Sequence, residues 1–138
     1  MSRVFLGGTC NGSKWRESKM IPLLKEKGVD YFNPVVEDWT EAAKQQEIYE
    51  RENDDFVVYV ISPLIAGYYA LAEVVEDSIR RPEKTIFHVM GIDDTKTPEY
   101  SSTFTKSQVM SLDAIGKMVE RNGGTWCNTF EEIAEWVS

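Results

Sequence analysis

The feature that most constrains the fold is an uncharged run of six residues, Phe56–Ile61, with the sequence FVVYVI. A run of this length, rich in β-branched and aromatic residues, is typical of a strand buried on both faces, as in a parallel sheet. After Ser62 and Gly67, apolar residues recur at three- and four-residue spacing, which predicts a helix with Glu73 early in it. In an open parallel sheet, ligands bind outside the carboxyl ends of the strands. This strand, loop and helix therefore aim the Glu73 carboxylate at the place where such a fold binds ligands.

Strand and helix patterns alternate along the whole chain. Strands are predicted at 3–7, 31–32, 56–61, 85–90 and 125–127, and helices at 15–27, 40–53, between Gly67 and Arg81, around 109–119 and from 129 onward. Five alternations predict an α/β fold, a three-layer doubly wound domain whose five-stranded, mainly parallel sheet has flavodoxin-like order. Without a linker or repeat, residues 1–138 are expected to form a single domain. The long polar stretch 91–107 is typical of a lid, a binding loop or a disordered segment.

Charge and composition narrow the range of partners. The net charge of −8 argues against a nucleic acid polymer as partner, because phosphate contacts need clustered Lys and Arg. The first residues lack the apolar region of a secretory signal, and no run is long enough to span a bilayer, so we expect a cytoplasmic protein with no membrane partner. Cys10 and Cys127 are far apart and lack CxxC spacing, so we expect two reduced thiols.

The familiar cofactor and catalytic motifs are missing from the sequence. Gly7-Gly8-Thr9 is not a GxGxxG fingerprint, and neither a Walker A sequence nor a GxSxG elbow occurs. His88, the single histidine, lies inside an apolar strand, where a core position is the expected one. We therefore predict no cofactor, no metal site and no conventional catalytic triad.

What remains is a group of polar side chains at the predicted strand ends, with aromatic residues close by in the sequence. They comprise residues 7–13, 33–39, Ser62 and Glu73, together with Trp15, Arg16, Tyr68 and Tyr69. Carboxylates and aromatic planes suit a sugar joined to a flat heterocycle, because a carboxylate attacks or stabilises an oxocarbenium-like carbon while the rings hold the base. From spacing alone, a solvated acid near a helix N-terminus is the more expected role for Glu73.

Three blocks of sequence carry a resemblance to a known family. They are VFLGGTCNGSKWRE, FNPVVEDW and DDFVVYVISPLIAGYYALAEVVEDS, which cover most of the first 80 residues. Together they resemble the nucleoside 2-deoxyribosyltransferase-like family, and most closely its compact branch with an FLGG or FLAG first strand and an NPxxxDW segment. The downstream half of the chain matches only in architecture.

The resemblance implies a mechanism and a set of site residues. In that family the glutamate opening the helix after the central strand is the nucleophile, and Glu73 stands in that position. Glu73 would attack C1′ of a 2′-deoxynucleoside, release the base and hold a covalent deoxyribosyl ester, which a second base or water resolves. Asp38 is the candidate for hydrogen bonding the base. The candidate substrate-binding residues are Gly7, Gly8, Thr9, Trp15, Asn33, Pro34, Trp39, Ser62, Gly67 and Tyr69.

One departure from the family leaves the reaction open. Better-known transferases carry an aspartate six residues before the nucleophile, where this chain has Gly67. Either Asp38 or Glu37 supplies the proton, or turnover is slow, or the chain binds without reacting. The alternatives are thus a base-exchanging transferase, a hydrolase, a non-catalytic module that sequesters a nucleotide, and an interaction domain with no ligand.

The form of the substrate and the assembly state also stay open at this stage. A nucleoside and a nucleotide are both compatible, and a 5′-phosphate would need the amides of residues 11–13 with Lys14 or Arg16. The resemblance implies a homo-oligomer, and although the family's segment that reaches a neighbouring site has no match here, we expect residues 100–108 to lie near a neighbouring cleft in its place. The loop 91–107, folded as a lid, is the other way to exclude water from the site.

Overall fold

In the computed structural model, which describes residues 2–10, 13–65, 67–90 and 104–138, a five-stranded sheet forms the middle layer. Its strands are Arg3–Gly8 (β1), Asp30–Phe32 (β2), Phe56–Ile61 (β3), Thr85–Val89 (β4) and Thr125–Trp126 (β5). The order is β2-β1-β3-β4-β5, and every neighbouring pair is parallel. The predicted α/β class and flavodoxin-like order are confirmed.

Helices connect the strands on both sides of the sheet. Helix α1 begins with a π-helical turn, Arg16–Met20, and continues as the α-helix Ile21–Glu26. The other helices are α2 (Glu41–Asn53), α3 (Tyr69–Arg80), α4 (Lys106–Arg121) and α5 (Phe130–Val137). A 3-10 turn at Pro82–Lys84 follows α3. No helix of the described ranges is both long enough and apolar enough to cross a bilayer.

Two segments of interest fall outside the described residues. One is Asn11 and Gly12 of the expected phosphate loop. The other is 91–103, which contains most of the predicted lid and the first part of the segment expected near a neighbouring subunit.

Alternation of side chains along β3 divides the apolar core in two. Val58 and Val60 pack in one cluster with residues of α1 and α5, whereas Val57, Tyr59 and Ile61 pack in the other with residues of α3 and α4. All five are buried, so both faces of the central strand are covered, as its sequence predicts.

Helix α2 is attached to the sheet through charged side chains. Its buried residues are Glu50 and Arg51. The guanidinium of Arg3 on β1 donates two hydrogen bonds to the Glu50 carboxylate, from Nε to Oε2 at 3.0 Å and from Nη2 to Oε1 at 2.7 Å. A helix that the sequence assigns to the surface therefore turns a charged face inward.

His88 lies in the core, as its strand predicts. It is 4% exposed, its Nδ1 lies 3.0 Å from the Cys127 carbonyl oxygen, and its ring meets Phe130 edge-on. Cys127 is a buried free thiol and Cys10 an exposed one.

Candidate active site

A cleft of about 400 Å³ lies at the carboxyl edge of the sheet, where β1, β2 and β3 end. It sits where the strand order reverses, since β1 has β2 on one side and β3 on the other. Ligands of open α/β sheets bind at such a switch point. A smaller chamber of about 350 Å³ adjoins the cleft, and the two share Trp39, Glu47, Tyr69 and Glu73.

The floor of the cleft is the end of β1. Gly8 has a φ of +114°, and a Cβ there would lie 2.0 Å from the Val60 carbonyl oxygen, so only glycine lets this backbone approach β3 so closely. The Thr9 N–H donates to the same carbonyl at 2.9 Å, and the Thr9 hydroxyl accepts from the Ser62 N–H at 2.9 Å. The loop is therefore fixed to β3 before any ligand binds.

Trp15 and Arg16 hold the same loop from the side of α1. The Trp15 indole donates to the Thr9 carbonyl oxygen at 3.0 Å, and the Arg16 guanidinium donates to the carbonyls of Leu6 at 2.9 Å and Thr9 at 2.8 Å. The guanidinium also stacks on the Trp15 ring, 4.4 Å from its centre. Trp15 is fully buried and outside the cleft lining, so its contact with the site runs through Thr9.

Glu73 lies in the cleft wall, on α3, facing the loop formed by Gly7, Gly8 and Thr9. The idea of a solvated acid at this position is wrong, because Glu73 is only 8% exposed. Its Oε2 lies 3.3 Å from Nη1 of Arg51 and accepts no hydrogen bond from the described residues. A buried carboxyl group that faces a cleft is a frequent feature of functional sites.

Burial raises the pKa of Glu73 to about 8. Arg51 opposes the increase, while a hydrogen-bonding contact with the Glu47 carboxyl group adds to it. Below about pH 8 the proton therefore stays on Glu73, beside the Glu47 carboxyl group.

Arg51 also belongs to a buried polar network beneath the cleft. Its Nε and Nη2 lie 3.2 and 3.1 Å from the two carboxylate oxygens of Asp77, which is fully buried. Asp77 also accepts from the Tyr59 hydroxyl and, at 2.9 Å, from Nε of Arg81. The network joins α2, α3 and β3 directly behind Glu73.

A family model described as nucleoside 2-deoxyribosyltransferase like matches residues 1–78, which is more than half of the chain. The chain belongs to this family. The matched region runs from β1 into α3 and contains the cleft floor, Glu47, Arg51 and Glu73. Neither the curated proteins nor the solved structures gave a match.

The structure brings together part of the residue set that the family resemblance implies. Gly7, Gly8, Thr9, Pro34, Trp39, Gly67, Tyr69 and Glu73 line the cleft. Asp38, Asn33, Ser62 and Trp15 are absent from that lining.

The residues outside the lining have other contacts. The Asn33 side chain accepts from the Val35 N–H at 3.1 Å, which closes the turn after β2. Ser62 is fully buried, and its hydroxyl accepts from the Leu64 N–H at 3.3 Å. Asp38 is exposed, whereas its neighbour Glu37 does line the cleft. The base-binding role of Asp38 stays a prediction, and the geometry offers no direct support for it.

Two residues of the site were missed by sequence reasoning, Glu47 and Arg51, because both lie in a helix of mostly polar residues. A signal was present nevertheless. Glu47, Glu50, Arg51 and Asp54 recur at spacings of three, one and three, which places them on one face of α2 and its C-terminal end. Within the described ranges, no three His, Cys, Asp or Glu side chains group to form a metal site.

Proposed function

We propose that this chain acts on the N-glycosidic bond of 2′-deoxynucleosides, with Glu73 as nucleophile and Glu47 as acid. The observation that supports this proposal most strongly is that the buried Glu73 carboxyl group contacts the Glu47 carboxyl group in the cleft at the end of β1. Membership of the nucleoside 2-deoxyribosyltransferase-like family supports the same chemistry, because the matched residues include this cleft.

In the first step, one Glu73 oxygen forms a bond to C1′ while the bond from C1′ to the base nitrogen breaks. The bonding electron pair leaves with the base, and the proton of Glu47 transfers to it. Transfer of the Glu73 proton to the adjoining Glu47 carboxyl group before the attack would give the carboxylate and the carboxylic acid that nucleophilic displacement with acid assistance requires. Glu47 thereby fills the role that Gly67 leaves vacant, and it replaces Asp38 and Glu37 as the proton donor.

In the second step, the ester between Glu73 and the sugar is resolved. A nitrogen of an incoming base, or the oxygen of a water molecule, bonds to C1′ as the ester bond breaks, and its proton returns to Glu47. The first acceptor gives base exchange and the second gives hydrolysis. Both outcomes use the same two carboxyl groups, so the site geometry is compatible with either.

Exposed aromatic rings at the cleft suit the base. Trp39 and Tyr69 are 60% and 71% exposed, and both line the cleft and the adjoining chamber beside Glu73. Exposed rings at a cleft mouth offer flat faces against which a heterocycle stacks. The sugar would then lie over Gly7, Gly8 and Thr9, where no side chain larger than threonine intervenes.

The charge of the cleft favours an uncharged nucleoside over a 5′-monophosphate. Glu37, Glu47 and Glu73 line it, whereas Arg16 is the one cation among the described lining residues. The Arg16 guanidinium is already directed at backbone carbonyl oxygens of the β1 loop. The described lining residues therefore include no uncommitted cation to pair with a phosphate dianion.

The test is a panel of deoxynucleosides, their 5′-monophosphates and acceptor bases, incubated with the protein and separated by chromatography. Exchanged nucleoside identifies a transferase, and free base alone identifies a hydrolase. We expect Glu73→Gln and Glu73→Ala to lower the rate by orders of magnitude. The matched control is Glu76→Gln, on the same helix but half-exposed, which should retain the rate.

Glu47→Gln separates the acid from the nucleophile. We expect kcat/KM of the parent protein to fall above about pH 8, where Glu73 has lost its proton and none remains to pass to Glu47, and we expect this descending limb to disappear in Glu47→Gln. A parent rate that instead rises through pH 8 would mean that Glu73 reacts without an acid. Absence of any product, with binding retained in the same cleft, would replace the enzyme proposal by the nucleotide-binding module.

A further inference from the structure

The chamber of about 350 Å³ beside the cleft meets it at four side chains, those of Trp39, Glu47, Tyr69 and Glu73. In the proposed reaction a Glu73 oxygen bonds to C1′, so C1′ of the substrate must lie at this junction. A nucleoside bound with C1′ there has a cavity on either side of it. The sugar and the base can therefore occupy different cavities.

The linings of the two cavities indicate which half of the nucleoside each one suits. On the cleft side, Gly7 and Gly8 present backbone next to the polar Thr9. Ile48 of α2 lines only the chamber, beside the rings of Trp39 and Tyr69. An apolar side chain beside two aromatic rings suits a flat heterocycle better than a sugar with its hydroxyl groups. The chamber is therefore the better place for the base.

Of the two cations in the chamber lining, Arg51 already has partners. Its Nε and Nη2 lie 3.2 and 3.1 Å from the Asp77 carboxylate oxygens, and its Nη1 lies 3.3 Å from Oε2 of Glu73. The Lys44 ammonium group forms no ion pair or hydrogen bond with the described residues. An ammonium group donates hydrogen bonds and accepts none. Lys44 therefore offers the chamber an unused cationic donor.

The position of Lys44 selects which edge of a base it would meet. Lys44 lines the chamber and is absent from the described cleft lining, so it stands on the side away from the junction with C1′. It would face the edge of the base opposite the glycosidic nitrogen. Hypoxanthine, guanine, uracil and thymine carry an oxo oxygen at that edge, whereas adenine and cytosine carry an amino group.

An ammonium group distinguishes these two kinds of base. It donates to an oxo oxygen, while an amino group facing it leaves two donors without an acceptor. When the bond to C1′ breaks, the electron pair that leaves with the base spreads through the ring onto the oxo oxygen. A cation at that oxygen stabilises the charge as it develops.

We propose that the chamber is the base subsite and that Lys44 is a specificity-determining residue, which selects 2′-deoxynucleosides whose base carries an oxo group on the edge opposite the glycosidic nitrogen. This inference rests on the proposed function for the position of C1′ at Glu73. It adds the substrate class, since the two carboxyl groups by themselves do not distinguish one base from another.

Two other roles for Lys44 predict different results. Lys44 is exposed, so the simplest alternative is a solvated lysine at the chamber rim, whose loss changes nothing in the reaction. The other alternative is a contact with the phosphate of a 5′-monophosphate, whose loss weakens all nucleotides equally, whatever their base. Only a base-selecting lysine changes the preference between two nucleosides that differ in one exocyclic group.

The experiment measures kcat/KM for two matched pairs, deoxyinosine with deoxyadenosine and deoxyuridine with deoxycytidine. The proteins are the parent, Lys44→Met, Lys44→Arg and a control, Lys25→Met, which removes an exposed cation of α1 outside both linings. Within each pair the intrinsic strengths of the glycosidic bonds differ, but this difference cancels when the ratio of the variant is divided by that of the parent.

We expect Lys44→Met to lower the oxo-to-amino ratio by about tenfold in both pairs, the low end for a hydrogen bond from a charged group because Lys44 is exposed. Lys44→Arg should keep most of the preference, and Lys25→Met should match the parent. An unchanged ratio in Lys44→Met would overturn the proposal. So would a uniform loss for the 5′-monophosphates with an unchanged nucleoside ratio, which would assign Lys44 to a phosphate.

A second variant tests the chamber itself. Ile48→Trp fills part of it, and because Ile48 is 39% exposed the larger side chain should not prevent folding. We expect KM to rise for every deoxynucleoside. The control is Tyr49→Trp, since Tyr49 is the exposed neighbour and lies outside both linings. A folded Ile48→Trp with the KM of the parent would place the base outside the chamber and overturn the proposal.

Equilibrium dialysis with free hypoxanthine and free adenine separates this inference from the proposed function, because it needs no turnover. If the parent is inactive but prefers hypoxanthine, and Lys44→Met loses that preference, the proposed function is wrong and the base subsite stands. If the parent is active but Lys44→Met changes neither the dialysis nor the kinetic ratios, the inference about Lys44 alone is wrong. A parent that neither reacts nor binds either base contradicts both.

Discussion

Helices α2 and α5 pack on the same sheet through different interactions, ion pairs for α2 and apolar contacts for α5. Four residues of α5 are buried, Phe130, Ile133, Ala134 and Val137, and all four are apolar. The buried residues of α2 are Glu50 and Arg51, held through Arg3 and Asp77. One helix therefore depends on burial of apolar surface, which varies little with pH, and the other on ion pairs, which titrate.

The difference follows from what each helix stands next to. Helix α5 supplies none of the described residues that line the cleft or the chamber beside it. Helix α2 supplies Glu47 and Arg51 to the cleft and the chamber beside it. A helix that brings charges to a site presents charges on its inner face, and each buried charge needs a partner. The charged inner face of α2 is therefore a consequence of where the site lies.

The largest effect should come from breaking the apolar attachment. Ile133→Ala removes a fully buried side chain from α5, and we expect it to lower the free energy of unfolding by about 2–4 kcal/mol. Urea denaturation at pH 5, 7 and 9 should give the same loss at each pH. Trp136→Ala is the control, because Trp136 is half-exposed on the same helix. A loss that changes strongly with pH would contradict the division between the two helices.

The fold was predictable because it depends on apolar periodicity. The run Phe56–Ile61 is typical of a strand buried on both faces. The alternation of strands with helices then made a parallel sheet the simplest arrangement. The position of Glu73 followed from the same pattern, since the helix after a central strand begins at the carboxyl edge. Neither conclusion needed a specific side-chain contact.

The partners of Glu73 were not predictable in the same way. Glu47 and Arg51 sit among Glu, Lys, Gln and Asn residues, and polarity alone assigns such a helix to the surface. Trp15 illustrates the reverse error, because an aromatic ring near a glycine loop suggests ligand stacking, yet this ring packs against Phe130 in the core. Which polar helix face turns inward depends on charges from distant strands, and a single sequence does not reveal those pairings.

A smaller effect should come from weakening the charged attachment. Hydrogen bonds from Arg3 hold the pKa of Glu50 down to about 2. A depressed pKa means that Glu50 stabilises the fold above about pH 4.5, its ordinary value, and loses that contribution as the pH falls toward 2. We expect Glu50→Gln to cost about 1–2 kcal/mol at pH 7, discounted because Arg3 is partly exposed.

The pH dependence is what distinguishes this variant from Ile133→Ala. The difference between Glu50→Gln and the parent should shrink steadily in urea denaturation between pH 5 and pH 3. An equal cost at pH 7 and pH 3 would mean that the carboxylate charge contributes nothing to the attachment of α2. Gln46→Ala is a suitable control, since Gln46 is exposed and donates to the same carboxylate at 3.1 Å without carrying charge.

The smallest effect should be a gain in stability, expected for Glu73→Gln at alkaline pH. Burial raises the pKa of Glu73 to about 8, so the folded chain binds this proton more tightly than the unfolded chain does. The sign is therefore opposite to that of Glu50: the fold loses stability as the pH rises from about 4.5 through 8. Gln keeps the shape and does not titrate. We expect Glu73→Gln to match the parent at pH 4 and to be more stable by about 1 kcal/mol at pH 9.

We expect this gain in stability even though Glu73→Gln removes the ion pair with Arg51, because Arg51 has other partners. Without the Glu73 carboxylate, Arg51 still pairs with Asp77 and Glu76, so no buried cation is left alone. Burial also raises the pKa of Asp54 to about 8. The parent and Glu73→Gln should therefore both still lose some stability as the pH rises through 8. Glu76→Gln, a half-exposed acid on the same helix, should show no gain at pH 9. Thermal unfolding that found Glu73→Gln less stable than the parent at pH 9 would show that the pair with Arg51 outweighs burial. The charged site would then be part of what stabilises the fold, as the apolar core is.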